Sequence, residues 1–213
     1  GVIDEVRIYT WPIDASIVSA LYANDPIAVT PSFALSFDDI SIVESEGMAG
    51  NILVSCGGLI CPVVYYPDRS VLPRPLERVA AQQFEPRHWM TWTSTNPIAA
   101  GNAGSLMFWA HLDDTSSIML PAIQQNVANR PQIFWRGTTH ELTFNSLTYD
   151  WSANYTSGWH MFTFVVNGDV LQMYIDGDKV AEGPATPGAA PFRVGLGSSL
   201  RVGGLSGGEI ARK

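Results

Sequence analysis

A predicted β-hairpin in the last third of the chain constrains the fold more than any other sequence feature. Residues 158–166 and 170–177 form two apolar strands, and Asn167-Gly168-Asp169 between them carries the Asn-Gly signal of a tight turn. Two strands joined by so short a connection must pair antiparallel. The sheet that contains them is therefore predicted to be antiparallel.

Short strand signals recur along the chain and are separated by turn residues. Further strands are predicted at residues 33–39, 40–44, 51–55, 61–66, 88–94, 105–112, 117–121, 132–136, 141–147 and 199–204. Residues 67–88 are predicted to be a long loop with one helical turn near residues 76–83. Many short strands at regular spacing, with 19 Gly and 14 Pro for the turns, are typical of an all-β antiparallel sandwich.

Composition restricts the partners of this sandwich. The 213 residues suit a single all-β domain, and 46% hydrophobic residues are enough for a substantial core. A net charge of −8 with only 12 scattered Lys and Arg argues against nucleic acid or an anionic membrane as the main partner. No apolar run approaches the roughly 20 residues of a membrane-spanning helix, so no membrane span is predicted.

The first 25 residues read as a strand followed by a short helix. Residues 2–9 alternate in the manner of a β-strand, with Val2, Asp4, Val6 and Ile8 on one predicted face. Asp14 is a suitable N-cap for the helix that follows. Residues 26–32 are then a linker, and residues 33–213 are the body of the sandwich.

Three motifs resemble a known family. They are Ile-Asp-Glu-Val-Arg-Ile-Tyr at 3–9, the segment from Trp-His at 159–160 to Asp-Gly at 176–177, and the strands at 105–109 and 200–204. The sequence is similar here to laminin-G-like, concanavalin A-like lectin and glucanase domains. The resemblance implies a two-sheet jelly roll in which the motif at 3–9 is the last strand. In this chain that strand stands first, so the family unit looks as if it were cut before its final strand.

Three arrangements fit such a cut. The chain could fold on itself as a circular permutant, because the termini of a sandwich lie close together. Residues 1–22 could instead complete a neighbouring subunit by β-strand addition, a head-to-tail contact that makes filaments when it does not close. The chain could also be one repeat of a longer tandem polypeptide. A sandwich without its last strand exposes an unpaired edge.

We favour strand exchange, so the chain is expected to be a non-enzymatic structural subunit that assembles with itself into a head-to-tail homopolymer. The alternative is a monomeric, circularly permuted carbohydrate-binding module. Residues 1–22 are the predicted donor, and the predicted acceptor groove lies between the strands at 200–204 and 33–38. The donor-strand residues of the assembly site are Val2, Ile3, Val6, Ile8 and Tyr9.

The two cysteines indicate in which cellular compartment the protein is expected. Cys56 and Cys61 flank a Gly-rich turn between two apolar runs, which favours a local disulfide across a hairpin, although two buried thiols are the alternative. A disulfide requires an oxidising environment. The expected location is therefore extracellular or at the cell surface.

The resemblance also implies ligands. Related sandwiches hold a structural Ca²⁺ between the final and first strands, and the matching positions here are Asp4, Asp38 and Asp39. Glycans are a second expected partner of this class.

Four aromatic residues are candidates for stacking on sugars, because they lie in or near loop-like stretches. They are Trp135, Trp151, Tyr149 and Tyr155. The glucanases of the family carry their acids as E-x-D-x-x-E on one strand, and this chain has no such pattern, so no hydrolase activity is predicted. His160 is expected to be structural.

Overall fold

The computed structural model describes the backbone in segments. They are residues 2–25, 29–35, 52–57, 64–65, 81–83, 89–94, 98–99, 103–112, 117–119, 122–125, 133–144, 147–185, 193–194 and 198–203. Side chains are described mainly at residues 5–25, 103–111, 135–144 and 147–185. All statements below concern these residues.

The described residues form strands with one short helix. In chain order the strands are β1 (Val2–Tyr9), β2 (Phe33–Leu35), β3 (Ile52–Gly57), β4 (Val64–Tyr65), β5 (Ala81–Gln83), β6 (Trp89–Ser94), β7 (Ile98–Ala99), β8 (Ala103–Leu112), β9 (Ser117–Met119), β10 (Ala122–Gln125), β11 (Ile133–Arg136), β12 (Glu141–Phe144), β13 (Leu147–Asp150), β14 (Gly158–Asn167), β15 (Val170–Ile175), β16 (Asp178–Pro184), β17 (Arg193–Val194) and β18 (Ser198–Gly203). Helix α1 (Ala15–Tyr22) lies between β1 and β2. The prediction of an all-β antiparallel sandwich is confirmed.

Within the described residues, no helix has the length and apolar character needed to cross a bilayer.

One large antiparallel sheet organises the molecule. Its strand order is β16-β15-β14-β8-β1-β5-β4, and β2 pairs with β1 on the same edge as β5. A second sheet, which we call the facing sheet, has the order β13-β12-β11-β9. A third sheet, which we call the β18 sheet, has the order β10-β18-β6-β3, and β17 pairs with β7 as a separate ribbon.

The main core lies between the large sheet and the facing sheet. Its buried members are Val6, Ile8, Leu106, Phe108, Ala110, Ile133, Trp135, Leu142, Phe144, Trp151, Phe162, Phe164, Val166, Leu171, Met173 and Ile175. Rings contact one another across the two sheets, as where Phe144 and Phe164 lie 5.0 Å apart between centroids. Close packing of large side chains accounts for most of the stability of such a layer.

Helix α1 covers the opposite face of the large sheet and creates a second core. Val18 and Leu21 of the helix pack with residues such as Trp109, Met161 and Tyr174 of the strands beneath. Because β14 is covered on both faces, residues 160–166 are all buried, and this explains why apolar side chains occupy successive positions there, with His160 and Thr163 as the buried polar exceptions. The predicted N-cap is confirmed, since Oδ1 of Asp14 accepts a hydrogen bond from the Ile17 amide at 3.0 Å.

The predicted hairpin is confirmed, with Asn167 paired to Val170 so that Gly168 and Asp169 form the turn. Gly168 has φ +61°, a conformation that glycine adopts without strain. Two other local predictions fail where the structure describes them. Residues 81–83 of the predicted helical turn form strand β5, while residues 76–80 lie outside the described part. Among the described strands β3 pairs with β6 and β4 pairs with β5, with no pairing of β3 to β4.

Candidate functional site

The N-terminal segment, residues 2–22, consists of β1, which is an internal strand of the large sheet, and α1, which packs on that sheet. β1 pairs antiparallel with β8 along one edge, where Ile8 lies opposite Leu106. Along the other edge β1 pairs with β2, where Ile8 lies opposite Phe33, and with β5. β1 therefore has neighbours on both edges within the same chain.

Of the two strands predicted to flank β1, one is its neighbour and the other is not. The strand that begins at residue 33 does flank β1, but the strand predicted at 200–204 does not. That strand is β18, whose two edges are already paired with β10 and β6 in another sheet. The free edge that accepts β1 belongs to β8, a ten-residue strand whose other edge is held by β14.

Three of the five predicted donor-strand residues anchor the segment. Val6 and Ile8 are fully buried in the main core, and Tyr9 is fully buried in the core beneath α1. For Val2 and Ile3 the backbone pairs with β8 and β5, and their side chains lie outside the described part. The buried positions are those expected of a strand that belongs inside a sheet.

A β-bulge interrupts β1. The pairing with β8 shifts between Asp4 and Arg7, and Glu5 has φ +51°. An extra residue interrupts the regular alternation of the strand. Val6 and Ile8 share the face of the main core as predicted, and the side chains of Val2 and Asp4 lie outside the described part. The Glu5 side chain is buried, and its carboxylate accepts two hydrogen bonds from Arg7, at 2.7 Å from Nη2 and 3.2 Å from Nε.

Polar contacts fasten the end of β1 to the rest of the chain. The Ser32 amide donates to the Ile8 carbonyl at 2.7 Å, and the Thr10 amide donates to Oγ of Ser32 at 3.2 Å. Oγ of Ser105 accepts from the Ile13 amide at 2.9 Å and donates to the Trp11 carbonyl at 3.0 Å. The strand is thus tied both to the start of β2 and to β8.

Two of the predicted sugar-stacking residues are core residues. Trp135 is fully buried and Trp151 is 6% exposed, so neither ring offers a face to solvent, and their assignment as stacking residues is wrong. Trp151 belongs to the loop-like 151–157 segment, but its ring meets Trp135 edge to face at 6.0 Å in the main core, which is why the sequence context misled the prediction. Tyr149 and Tyr155 are half-buried against the main core.

A partly exposed aromatic cluster lies elsewhere, at the carboxyl end of α1. Tyr22 is 40% exposed, and its ring stacks at 5.9 Å between centroids on Trp109, which is itself buried. On the same face of the sheet, half-buried His111 meets half-buried Trp159 edge to face at 5.8 Å. We call Tyr22, Trp109, His111 and Trp159 the aromatic patch. Sequence reasoning missed it because a tyrosine that ends a helix gives no sign of its neighbours.

Acidic groups lie beside this patch. Burial raises the pKa of the Tyr22 hydroxyl, and the negative charges of Asp176 and Asp178 raise it further. Asp178 is exposed at the start of β16. At Gly177, between these two acids, φ is +89°, and a Cβ would meet the Tyr22 Cβ at 3.3 Å. The helix therefore approaches the β15–β16 turn as closely as a glycine permits.

His160 lies at a second cluster, on the opposite face of β14. Its Nδ1 is 2.6 Å from Oδ2 of Asp176, and its Nε2 is 2.8 Å from the Thr156 carbonyl oxygen. The Trp151 ring packs edge to face on the imidazole at 4.7 Å. This position between a strand, a turn and a loop fits the prediction that His160 is structural.

The remaining predicted sites fall at or beyond the limits of the described part. Asp38, Asp39 and Cys61 lie outside the described residues, as do the side chains of Asp4 and Cys56. Among the described residues, no group of three His, Cys, Asp or Glu side chains could hold a metal ion. The calcium site and the disulfide therefore stay predictions.

Known proteins resemble this chain at the level of the fold. No family model matches the sequence, and no curated protein matches it. Among solved structures the chain is similar to the crystal structure of the botulinum neurotoxin serotype D binding domain, with a TM-score of 0.52 and 15% sequence identity. The match covers 78% of this chain and 42% of that chain, so this chain spans less than half of the neighbour's length. This likeness shows a β-rich sandwich fold, and the finer assignment to laminin-G-like domains stays a prediction.

Proposed function

We propose that this chain is a non-catalytic recognition module, closed by its own N-terminal segment, that binds carbohydrate outside the cell. The observation that carries the proposal is the aromatic patch, where the exposed ring of Tyr22 stacks on Trp109. Tyr22 belongs to the N-terminal segment. The segment that supplies β1 to the large sheet therefore also brings the exposed ring to the patch.

The chemistry of the patch suits a sugar. One face of a pyranose ring presents C–H groups that pack on an aromatic ring, and its hydroxyl groups need hydrogen-bond partners at the edge. Tyr22 offers an exposed face, and Asp178 offers an exposed carboxylate nearby. Aromatic surface with a few polar groups is the usual composition of a small-ligand site. The structural neighbour is the binding domain of a neurotoxin, which supports recognition as the class of function; the carbohydrate ligand rests on the patch alone.

Glycan titration tests this proposal. The intact chain is screened on an array of glycans, and each hit is titrated in solution. Tyr22→Ala should weaken binding at least about tenfold, because the exposed stacking face is lost. Trp11→Ala is the matched control, since Trp11 is a comparably exposed aromatic residue (38%) outside the patch. Equal losses in both variants, or no glycan hit at all, would contradict the proposal.

Assembly by strand donation is the second candidate, in which residues 1–22 complete the sandwich of a neighbouring copy. It is favoured by the depth of the N-terminal anchors, because three fully buried side chains would each contribute about 1.5–3 kcal/mol to a joint between subunits. The same contacts would then form in trans, and a head-to-tail joint that does not close would give filaments. In the structure described, β1 pairs with β2 and β8 of its own chain, and for that reason we place this candidate second.

Calcium at Asp4, Asp38 and Asp39 is part of the proposal for either candidate. Carboxylate oxygens are the ligands that Ca²⁺ prefers. In the first candidate the ion would join β1 to the residues after β2 within one chain, and in the second it would join two subunits.

A further inference from the structure

The two ring nitrogens of His160 both face oxygen atoms that only accept hydrogen bonds. Nδ1 faces the Asp176 carboxylate at 2.6 Å, and Nε2 faces the Thr156 carbonyl at 2.8 Å. The other oxygen of Asp176 is already occupied, because Oδ1 accepts the Met161 amide at 2.9 Å. A neutral imidazole has one N–H group and can donate to only one of its two neighbours.

We propose that His160 is protonated on both nitrogens in the folded protein and acts as a pH-dependent clamp that fastens the 151–157 segment to the β15–β16 turn. The His160 ring contacts Asp176 on one side and Thr156 on the other. Asp176 belongs to the turn and has φ +52°, and Thr156 belongs to the segment. The imidazolium joins them with two charge-assisted hydrogen bonds, which are stronger than bonds between neutral groups.

The hydrogen bond from His160 to Thr156 helps to hold the 151–157 segment against the main core. The 151–157 segment carries Trp151, which is 6% exposed and packs on the His160 ring. A turn within it is closed by the Asn154 amide, which donates to the Trp151 carbonyl at 3.1 Å. Release of Thr156 would remove the hydrogen bond that joins this segment to β14 and leave the segment held by the core packing of Trp151 and by Tyr155, whose ring stacks on His140 at 4.3 Å.

Asp176 and the Thr156 carbonyl favour the charged form of the His160 ring against the effect of its apolar surroundings. Ala110 lies opposite it on β8, and Phe162 and Trp151 pack against it, and all three are uncharged. Among the described contacts of the ring, Asp176 is the charged group. Burial lowers the pKa of His160, but the Asp176 hydrogen bond and charge together with the Thr156 carbonyl outweigh burial and raise it.

The direction of the pH effect follows from this raised pKa. A histidine whose pKa is higher in the folded than in the unfolded chain contributes stability that is fully present below the unfolded value. That contribution is lost as the pH rises through the folded value. The segment should therefore be fastened most firmly below the pH at which a free histidine titrates, and it should be released as the pH rises through the higher folded value.

Asp176→Asn is the decisive variant. Asn can keep the Met161 contact through its carbonyl oxygen and donate an N–H to Nδ1, so a neutral His160 would still satisfy Thr156 through Nε2. Asn also tolerates the left-handed backbone at this position. The variant should keep the segment fastened and lose its pH dependence.

Nitrogen NMR of the His160 ring in the intact chain tests the proposal, with His140→Asn used to identify the other described ring of this region. We expect both ring nitrogens to show the protonated signature at neutral pH, and the titration midpoint to lie above that of a free histidine. The protection factor of the Asn154 amide should fall about tenfold or more above that midpoint, as for loss of a hydrogen bond to a charged group, and should not fall in Asp176→Asn. The proposal is overturned if either ring nitrogen of His160 is unprotonated at neutral pH in the wild type, whatever the variant does. It is also overturned if the protection factor of the Asn154 amide falls at high pH in Asp176→Asn as it does in the wild type.

Discussion

Replacing Ile8 by Ala tests the structural role of the N-terminal strand. Ile8 is fully buried in the main core and lies opposite both Leu106 and Phe33. The change removes three carbons at about 0.8 kcal/mol each, or about 2.4 kcal/mol of transfer free energy. A cavity adds to this cost, because β1 has partners on both edges and cannot collapse inward, so we expect a loss of about 3–4 kcal/mol.

Urea unfolding followed by tryptophan fluorescence measures this loss, since Trp135 and Trp151 report on the same core. Val170→Ala is the control, because Val170 is 37% exposed at the hairpin turn and its truncation should cost less than about 0.5 kcal/mol. Closure within one chain also predicts that the midpoint does not change over about a hundredfold range of protein concentration. The reasoning fails if Ile8→Ala is no more destabilising than Val170→Ala.

Three further predictions concern other parts of the molecule. Gly177→Ala should destabilise the fold by about 1–3 kcal/mol in thermal melts, because φ is +89° and the new Cβ meets Tyr22; an unchanged melt would refute this contact. Arg7→Met should cost about 3–5 kcal/mol in urea unfolding, because it removes the guanidinium from the buried Glu5 carboxylate, and Lys179→Met, at an exposed ion pair, should cost less than about 1 kcal/mol. Calcium should raise the melting temperature of the wild type and not that of Asp39→Asn; equal shifts in both would argue against the proposed site.

Local signals in the sequence carried most of the correct predictions. The β14–β15 hairpin follows from an Asn-Gly turn between two apolar runs, and the N-cap of α1 follows from a single aspartate placed before the helix. Each of these depends on residues within a few positions of one another. Such features form the same way in many tertiary contexts, which is why sequence alone could place them.

Long-range pairing could not be predicted in the same way. The partner of β1 is β8, about a hundred residues away, and no pattern in β1 distinguishes an edge of β8 from an edge of β18. The bulge at Glu5 was also hidden, because the letters of β1 alternate regularly while the backbone does not. Burial of Trp135 and exposure of Tyr22 depend on which element covers each ring, and that is decided only when the sheets and α1 pack.

A disulfide cross-link between the N-terminal segment and β2 tests most directly whether each chain closes its own sandwich. Oγ1 of Thr10 and Oγ of Ser32 are 3.1 Å apart, so cysteines at these two positions should bond on mild oxidation in a background that lacks Cys56 and Cys61. Closure within one chain predicts a single cross-linked species of 23.2 kDa on a non-reducing gel, with residues 10 and 32 joined in one peptide map. A ladder of covalent multimers, or no cross-link at all, would contradict it.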